Sequence, residues 1–166
     1  MNRRLKGVKM SIQSLKKLQV WVRAKDFAVK VDKKVLPLLP PEEKWSLNQQ
    51  LRRSSTSVSA NIAEGHGRFY FQDNVRFCYN ARGSLEETLS HLIFCFEVDM
   101  IPENLYKELE NEGEEIEKML NGYIAFLKKS KQGENEPGAN YKVREDAEPY
   151  EVDSSEDSEE SEDANP

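Results

Sequence analysis

Catalytic raw material is scarce in this chain. Its 166 residues hold two histidines, His66 and His91, and two cysteines, Cys78 and Cys95. Neither histidine lies in a nucleophile elbow, and no phosphate-cradling glycine loop, zinc-ligand spacing or catalytic triad accompanies them. Hydrolytic, phosphoryl-transfer and metal-centred chemistry therefore lack their usual parts, and no enzymatic activity and no cofactor are expected. His91 and Cys95 stand four apart on a helical segment with Cys78 on a similar face, but two ligands are too few for a closed zinc site. The cysteines have no framework spacing and sit among apolar neighbours, which fits reduced, buried thiols. Carboxylates at Glu86 and Glu87 and at Glu114, Glu115 and Glu117 fall on outward helix faces, with no cleft to pair them for acid–base work. Long apolar runs are missing too: none approaches the roughly 18 to 20 residues of a membrane span. The start, Met1-Asn2-Arg3-Arg4-Leu5-Lys6, lacks the apolar stretch of a secretory signal. A soluble, cytoplasmic protein without a membrane partner is expected.

What the chain has in quantity is charge, unevenly spread. Residues 1–34 carry eleven Lys and Arg against two acids, residues 35–132 carry eleven against fifteen, and residues 133–166 carry two against thirteen. The net charge of −6 thus conceals a basic head and an acidic tail, and the position of charge governs steering as much as its total. After Val152 almost nothing apolar remains, so the last segment cannot offset its ordering entropy and is expected to be disordered. The expected organisation is a basic N-terminal arm at 1–9, a folded unit at 10–131 and an acidic tail at 132–166. Tethered beside a basic surface, the tail either competes with nucleic acid or serves only solubility. The two differ in whether truncation after Gln132 tightens nucleic-acid binding.

Between arm and tail, apolar residues recur at helical spacing in four segments. The first, Ile12 to Leu36, carries Leu15, Leu18, Trp21, Val22, Phe27, Ala28, Val31 and Val35, and Pro37, Pro40 and Pro41 stop it. The second, Glu42 to Glu64, carries Trp45, Leu47, Leu51, Val58 and Ile62. The third, Phe71 to Asp99, carries Phe71, Val75, Cys78, Leu85, Leu89, Leu92 and Phe96. The fourth, Pro102 to Lys129, carries Leu105, Leu109, Ile116, Leu120, Tyr123, Ile124 and Leu127. Four amphipathic helices with short links predict an all-α, up-down-up-down four-helix bundle. Gly65 follows the last periodic residue of the second helix, where a left-handed cap is commonest, so Gly65-His66-Gly67 reads as a turn. Ser54, Ser55, Ser57, Ser59, Ala60 and Ala63 make that helix thin enough for a neighbouring helix or subunit to come close.

The segments "LQVWVRAKDFAVKV", "LNQQLRRSSTSVSANIAEGHGR", "RFCYNARGSLEETLSHL" and "EIEKMLNGYIAFLKK", in that order, resemble the family of helical proteins encoded in intervening sequences of large-subunit ribosomal RNA genes. That family includes the accessory variability determinant of diversity-generating retroelements. The similarity spans about residues 15 to 131, with Asn61-Ile62-Ala63-Glu64-Gly65 and Ala81-Arg82-Gly83-Ser84-Leu85-Glu86 its most specific parts. It implies a homopentameric barrel of four-helix bundles, without enzymatic activity, that binds structured RNA. In the retroelement branch it implies an accessory protein that binds a reverse transcriptase and its RNA. Phe69-Tyr70-Phe71 stands where relatives carry basic and polar residues, and His66 replaces a usual aromatic.

The resemblance points to Arg52, Arg53, Arg68, Arg76 and Arg82 as phosphate-binding positions, for which forked guanidinium donors are suited. Lys16, Lys17, Arg23 and Lys25 on the basic first helix extend the set. The alternative is that Arg52, Arg53 and Arg82 pair with Glu64, Glu86 or Glu87. Phe69, Tyr70 and Phe71 stack on unpaired bases or pack at an interface, with Tyr70 the one expected to be exposed.

Overall fold

A computed structural model describes residues 12–131, 133 and 134. The basic arm at 1–9 and all of the tail except Gly133 and Glu134 lie outside the described residues, as do positions 10 and 11 of the expected folded unit. Among the described residues every regular element is helical: α1 (Ile12–Lys17), α2 (Gln19–Lys30), α3 (Leu47–His66), α4 (Phe71–Glu97) and α5 (Glu103–Ser130). A π-type turn, Val31–Val35, and two 3-10 segments, Leu36–Leu38 and Pro41–Trp45, join α2 to α3.

The expected single first helix is broken. Leu18 takes an extended conformation at ψ 104°, which bends α1 away from the line of α2 and lets Ser14 reach His66 on α3. At its other end α2 passes into the π turn, whose wider winding keeps Val31 and Val35, four residues apart, both fully buried. Pro37 then removes a backbone donor and the helical path ends. The second helix starts later than its periodicity suggested. Trp45 closes the second 3-10 segment and is 75% exposed, not part of the core stripe. The buried stripe of α3 is Leu47, Leu51, Ser54, Ser55, Val58, Ile62 and Gly65.

Neighbouring helices run antiparallel, as side-chain pairs show. On α3 and α4, Thr88 donates to Ser54 Oγ at 2.9 Å, while Gly65 lies against Asn74 and Phe77. On α4 and α5, Arg82 meets Asn121 and Asn74 meets Tyr123. On α2 and α5, Lys30 reaches Glu108 at 2.7 Å and also Glu112, and Arg23 reaches Glu115. Asp32, in the π turn that follows α2, meets Arg52 on α3. These pairings close a ring around one core that includes Phe27, Leu51, Ile62, Leu85, Leu92, Leu109, Ile116 and Leu120. Each such side chain, fully withdrawn from water, contributes roughly 1.5–3 kcal/mol.

Thin residues act where two helices cross closely. Ser54 and Ser55 are buried to 1% exposure and turn their hydroxyls to the preceding turn of α3, whereas Ala60 is exposed. Gly65 is not a left-handed cap. It lies inside α3, buried, and the helix runs on through His66 to Gly67, whose φ of −77° is ordinary for any residue. The left-handed caps fall on Asp99 (φ 57°) after α4 and Lys131 (φ 47°) after α5. At the first, Met100 N–H donates to Cys95 C=O at 2.8 Å and Asp99 N–H to Phe96 C=O at 3.0 Å, the paired bonds that close a helix of Schellman type.

Candidate nucleic-acid interface

The nine cations singled out in the sequence are all at least partly exposed, but they do not form one surface. Lys16 and Lys17 lie on α1, exposed, with no partner among the described residues. Arg23 and Lys25 on α2 pair with Glu115 and Asp26. On α3, Arg52 donates through Nε to Asp32 at 2.8 Å. Arg53 donates to Glu87 at 3.2 Å and to Gln50 at 3.4 Å. Arg68 pairs with Glu64 one turn back and covers the Phe77 ring at 5.0 Å. Arg76 is exposed on α4. Arg82, further along α4, donates to the Asn121 side chain at 3.3 Å and lies over Tyr79 at 5.1 Å.

The alternative pairings are therefore realised in part. Arg53 takes Glu87, Arg52 takes Asp32 rather than a glutamate, and Arg82 takes no carboxylate among the described residues. These are solvent-facing pairs: the side chains of Arg52 and Arg53 are 59% and 70% exposed. Such pairs are worth roughly 0–1 kcal/mol, so a phosphate can displace the carboxylate at small cost. Lys25 and Arg52, with Lys33, which the sequence reading did not single out, line a groove of about 340 Å³ between α2 and α3, together with Asp32, Thr56 and Ser59. Lys33 is exposed and has no partner among the described residues.

In the aromatic turn the order of exposure is reversed. Phe69 is 49% exposed, Tyr70 is half-buried, and Phe71 packs against the core. Tyr70 is covered because Gly133, at φ +80°, crosses it so closely that a Cβ there would lie 2.7 Å from Tyr70 Cδ1. The Phe69 and Tyr70 rings meet edge to face at 5.2 Å.

His66 is the last residue of α3, and a polar cluster surrounds it. Its Nε2 lies 3.0 Å from Ser14 Oγ and its Nδ1 3.5 Å from Tyr123 Oη. Asn74 Nδ2 donates to the same Tyr123 oxygen at 3.2 Å, and Cys78 Sγ lies 3.6 Å from Asn74 Oδ1. One assignment satisfies the chain: Tyr123 donates to Nδ1, and a neutral ring donates from Nε2 to Ser14. Burial holds His66 below its ordinary 6.5 and raises Tyr123. It also pushes the Cys78 thiol to about 12 and Cys95 to about 11, far from reactive thiolates. The cluster joins α1, α3, α4 and α5. Because the folded ring resists its proton, the unfolded chain protonates first as pH falls below 6.5, and stability is lost down through the lowered folded value. Denaturant midpoints should therefore drop as pH falls from about 6.5 toward the lowered folded value, and His66→Gln should flatten that limb. An unchanged slope in the variant would show that His66 does not cause it.

Helices packed around one core, with lysine and arginine side chains exposed on their outer faces, define an all-α protein among the described residues. The chain belongs to the 23S rRNA-intervening sequence protein family, whose model matches residues 16–122. A crystal structure of a protein of unknown function from the S23 ribosomal protein family of Bacteroides thetaiotaomicron is similar at 27% identity and a TM-score of 0.58, covering 63% of this chain and 97% of that one. No curated relative matches. No described helix is long and apolar enough to cross a membrane.

Proposed function

We propose that the chain is a non-enzymatic, cytoplasmic scaffold that binds structured RNA, built from up-down-up-down four-helix bundles assembled as a homopentamer. The observation that carries this reading is the state of the cations. Lys16, Lys17 and Lys33 are exposed without a partner among the described residues, Arg82 is held by an amide and a ring, and the remaining pairs are weak enough to yield to phosphate. Assembly is supported by apolar side chains that a lone subunit leaves in water: Ile93, Phe94 and Val98 near the end of α4 and Phe126 on α5, exposed by 42, 49, 44 and 63%. Aromatic residues of this kind are enriched where subunits meet. Repetition of the cations around an axis would multiply their field.

Electrophoretic retention of a structured RNA by the full-length chain tests the reading, together with its native mass. The expected results are retention at low salt and a mass five times the 19.2 kDa chain. A free RNA at low salt would refute the binding role, and a single-chain mass would refute the assembly.

A further inference from the structure

The 3-10 segment before α3 leaves an indole in an unusual place. Trp45 is 75% exposed, yet it forms one wall of a cavity of about 540 Å³ whose other walls are Ser46, Gln49, Gln50, Arg52 and Arg53. The ring lies outside α3's core stripe, which begins at Leu47. The polar walls are positioned but not used up. Arg52 is anchored through Nε alone, which leaves its two terminal nitrogens unengaged among the described residues. Arg53 is steadied by Gln50 and Glu87, and Gln49 is exposed with no partner among them. On the other side Glu43 accepts from Ser46 Oγ and, at 3.4 Å, from Leu47 N–H at the start of α3. Its charge keeps an anion off that edge, so the arginine side is where one would lie.

A flat aromatic face, a side-chain amide and two guanidinium forks within one shallow cavity are the parts that hold an unpaired base on a nucleic-acid strand. The ring stacks on the base, the amide or a fork reads its edge, and the remaining cation takes the neighbouring phosphate. Bidentate contacts from Gln suit adenine and those from Arg suit guanine. We propose that the cavity beside Trp45 binds an unpaired purine of a single-stranded or looped RNA segment, with Trp45 stacking on the base, Gln49 contacting its edge, and Arg52 and Arg53 the flanking phosphates. The inference rests on the RNA-binding reading above and adds to it a place where the strand is read rather than merely attracted.

The test uses the full-length chain carrying Trp21→Phe, so that Trp45 alone emits. Titration with an adenosine octaribonucleotide should quench the emission more than a uridine octamer does. Trp45→Ala, at an exposed position, should keep its fold and native mass and weaken the adenosine octamer about five- to 150-fold, the range set by the loss of one stacked base. The salt slope should stay unchanged, and Trp45→Phe should recover most of the affinity. If RNA is retained while Trp45 is not quenched and Trp45→Ala binds equally well, the cavity assignment is wrong and the scaffold reading stands. If no RNA binds at low salt, both fall. A lower native mass for Trp45→Ala would make the indole a subunit contact and overturn the assignment. So would quenching by adenosine monophosphate as strong as that by the octamer, since the flanking phosphates would then have no part.

Discussion

Gly65→Ala should lower the melting temperature, although alanine is the better helix former. A methyl group at position 65 would lie 2.8 Å from Asn74 Oδ1, 2.9 Å from Phe77 Cβ and 3.0 Å from Asn74 C=O. The amide oxygen can swing aside. The other two atoms are fixed to α4's backbone, so α3 and α4 must separate along their crossing. Overpacking of this kind costs about 1–3 kcal/mol, against a gain of roughly 0.5–1 kcal/mol for replacing glycine within a helix. The balance is a loss of up to about 2.5 kcal/mol, and a loss near its middle corresponds to a fall of roughly 5 °C in a chain of this size. Asn74 would also be pushed from Tyr123, disturbing the cluster that seats His66 and α1. Gly122→Ala gives the opposite sign: nothing lies within 4 Å of a Cβ there, and a gain of about 0.5–1 kcal/mol is expected. Scanning calorimetry on the pair checks both signs. A Gly65→Ala protein as stable as the parent would refute the close approach of α3 to α4.

The larger effect is on RNA. Replacing Lys16, Lys17, Arg76 and Arg82 together by glutamine should reduce affinity for a structured RNA by about 10³-fold at roughly 0.1 M salt. Each phosphate contact contributes nearly one to the salt slope, and four are removed. These positions are exposed or partly exposed and none is in the core, so the fold should persist. Arg53→Gln alone should cost much less, because the phosphate it loses must already displace Glu87. Equal losses for the single and the quadruple variant would place the main contact on α3 rather than across α1 and α4. Retained affinity in the quadruple variant would remove these cations from the interface.

The all-helical character was legible because periodicity is a property of the chain itself: Leu105, Leu109, Ile116, Leu120, Ile124 and Leu127 on α5 are buried where the spacing indicates, while Tyr123 of the same stripe is partly buried and Gly113 joins the buried set without an apolar side chain to announce it. Helix ends were less so. Gly65 carries the commonest signal of a left-handed cap, yet it is glycine because α4 passes over it, a fact about a partner helix that no local pattern contains. Asp99 takes the left-handed cap on α4 instead, without the glycine that would have announced it. Trp45 was misplaced for a similar reason. It sits at helical spacing from the α3 stripe, but the backbone there is a 3-10 segment whose tighter turn points the indole elsewhere. The cations were visible as a set, while their division into a groove between α2 and α3, a pair on α1 and an amide-held arginine on α4 depends on how the helices are arranged around the ring.

The most direct test is the dependence of RNA affinity on salt, measured by filter binding with the full-length chain and a structured RNA. A log–log slope of about −4 or steeper is expected, since four or more phosphates should be neutralised. A flat slope, or no retention at any salt concentration, would contradict the assignment of this helical scaffold to RNA.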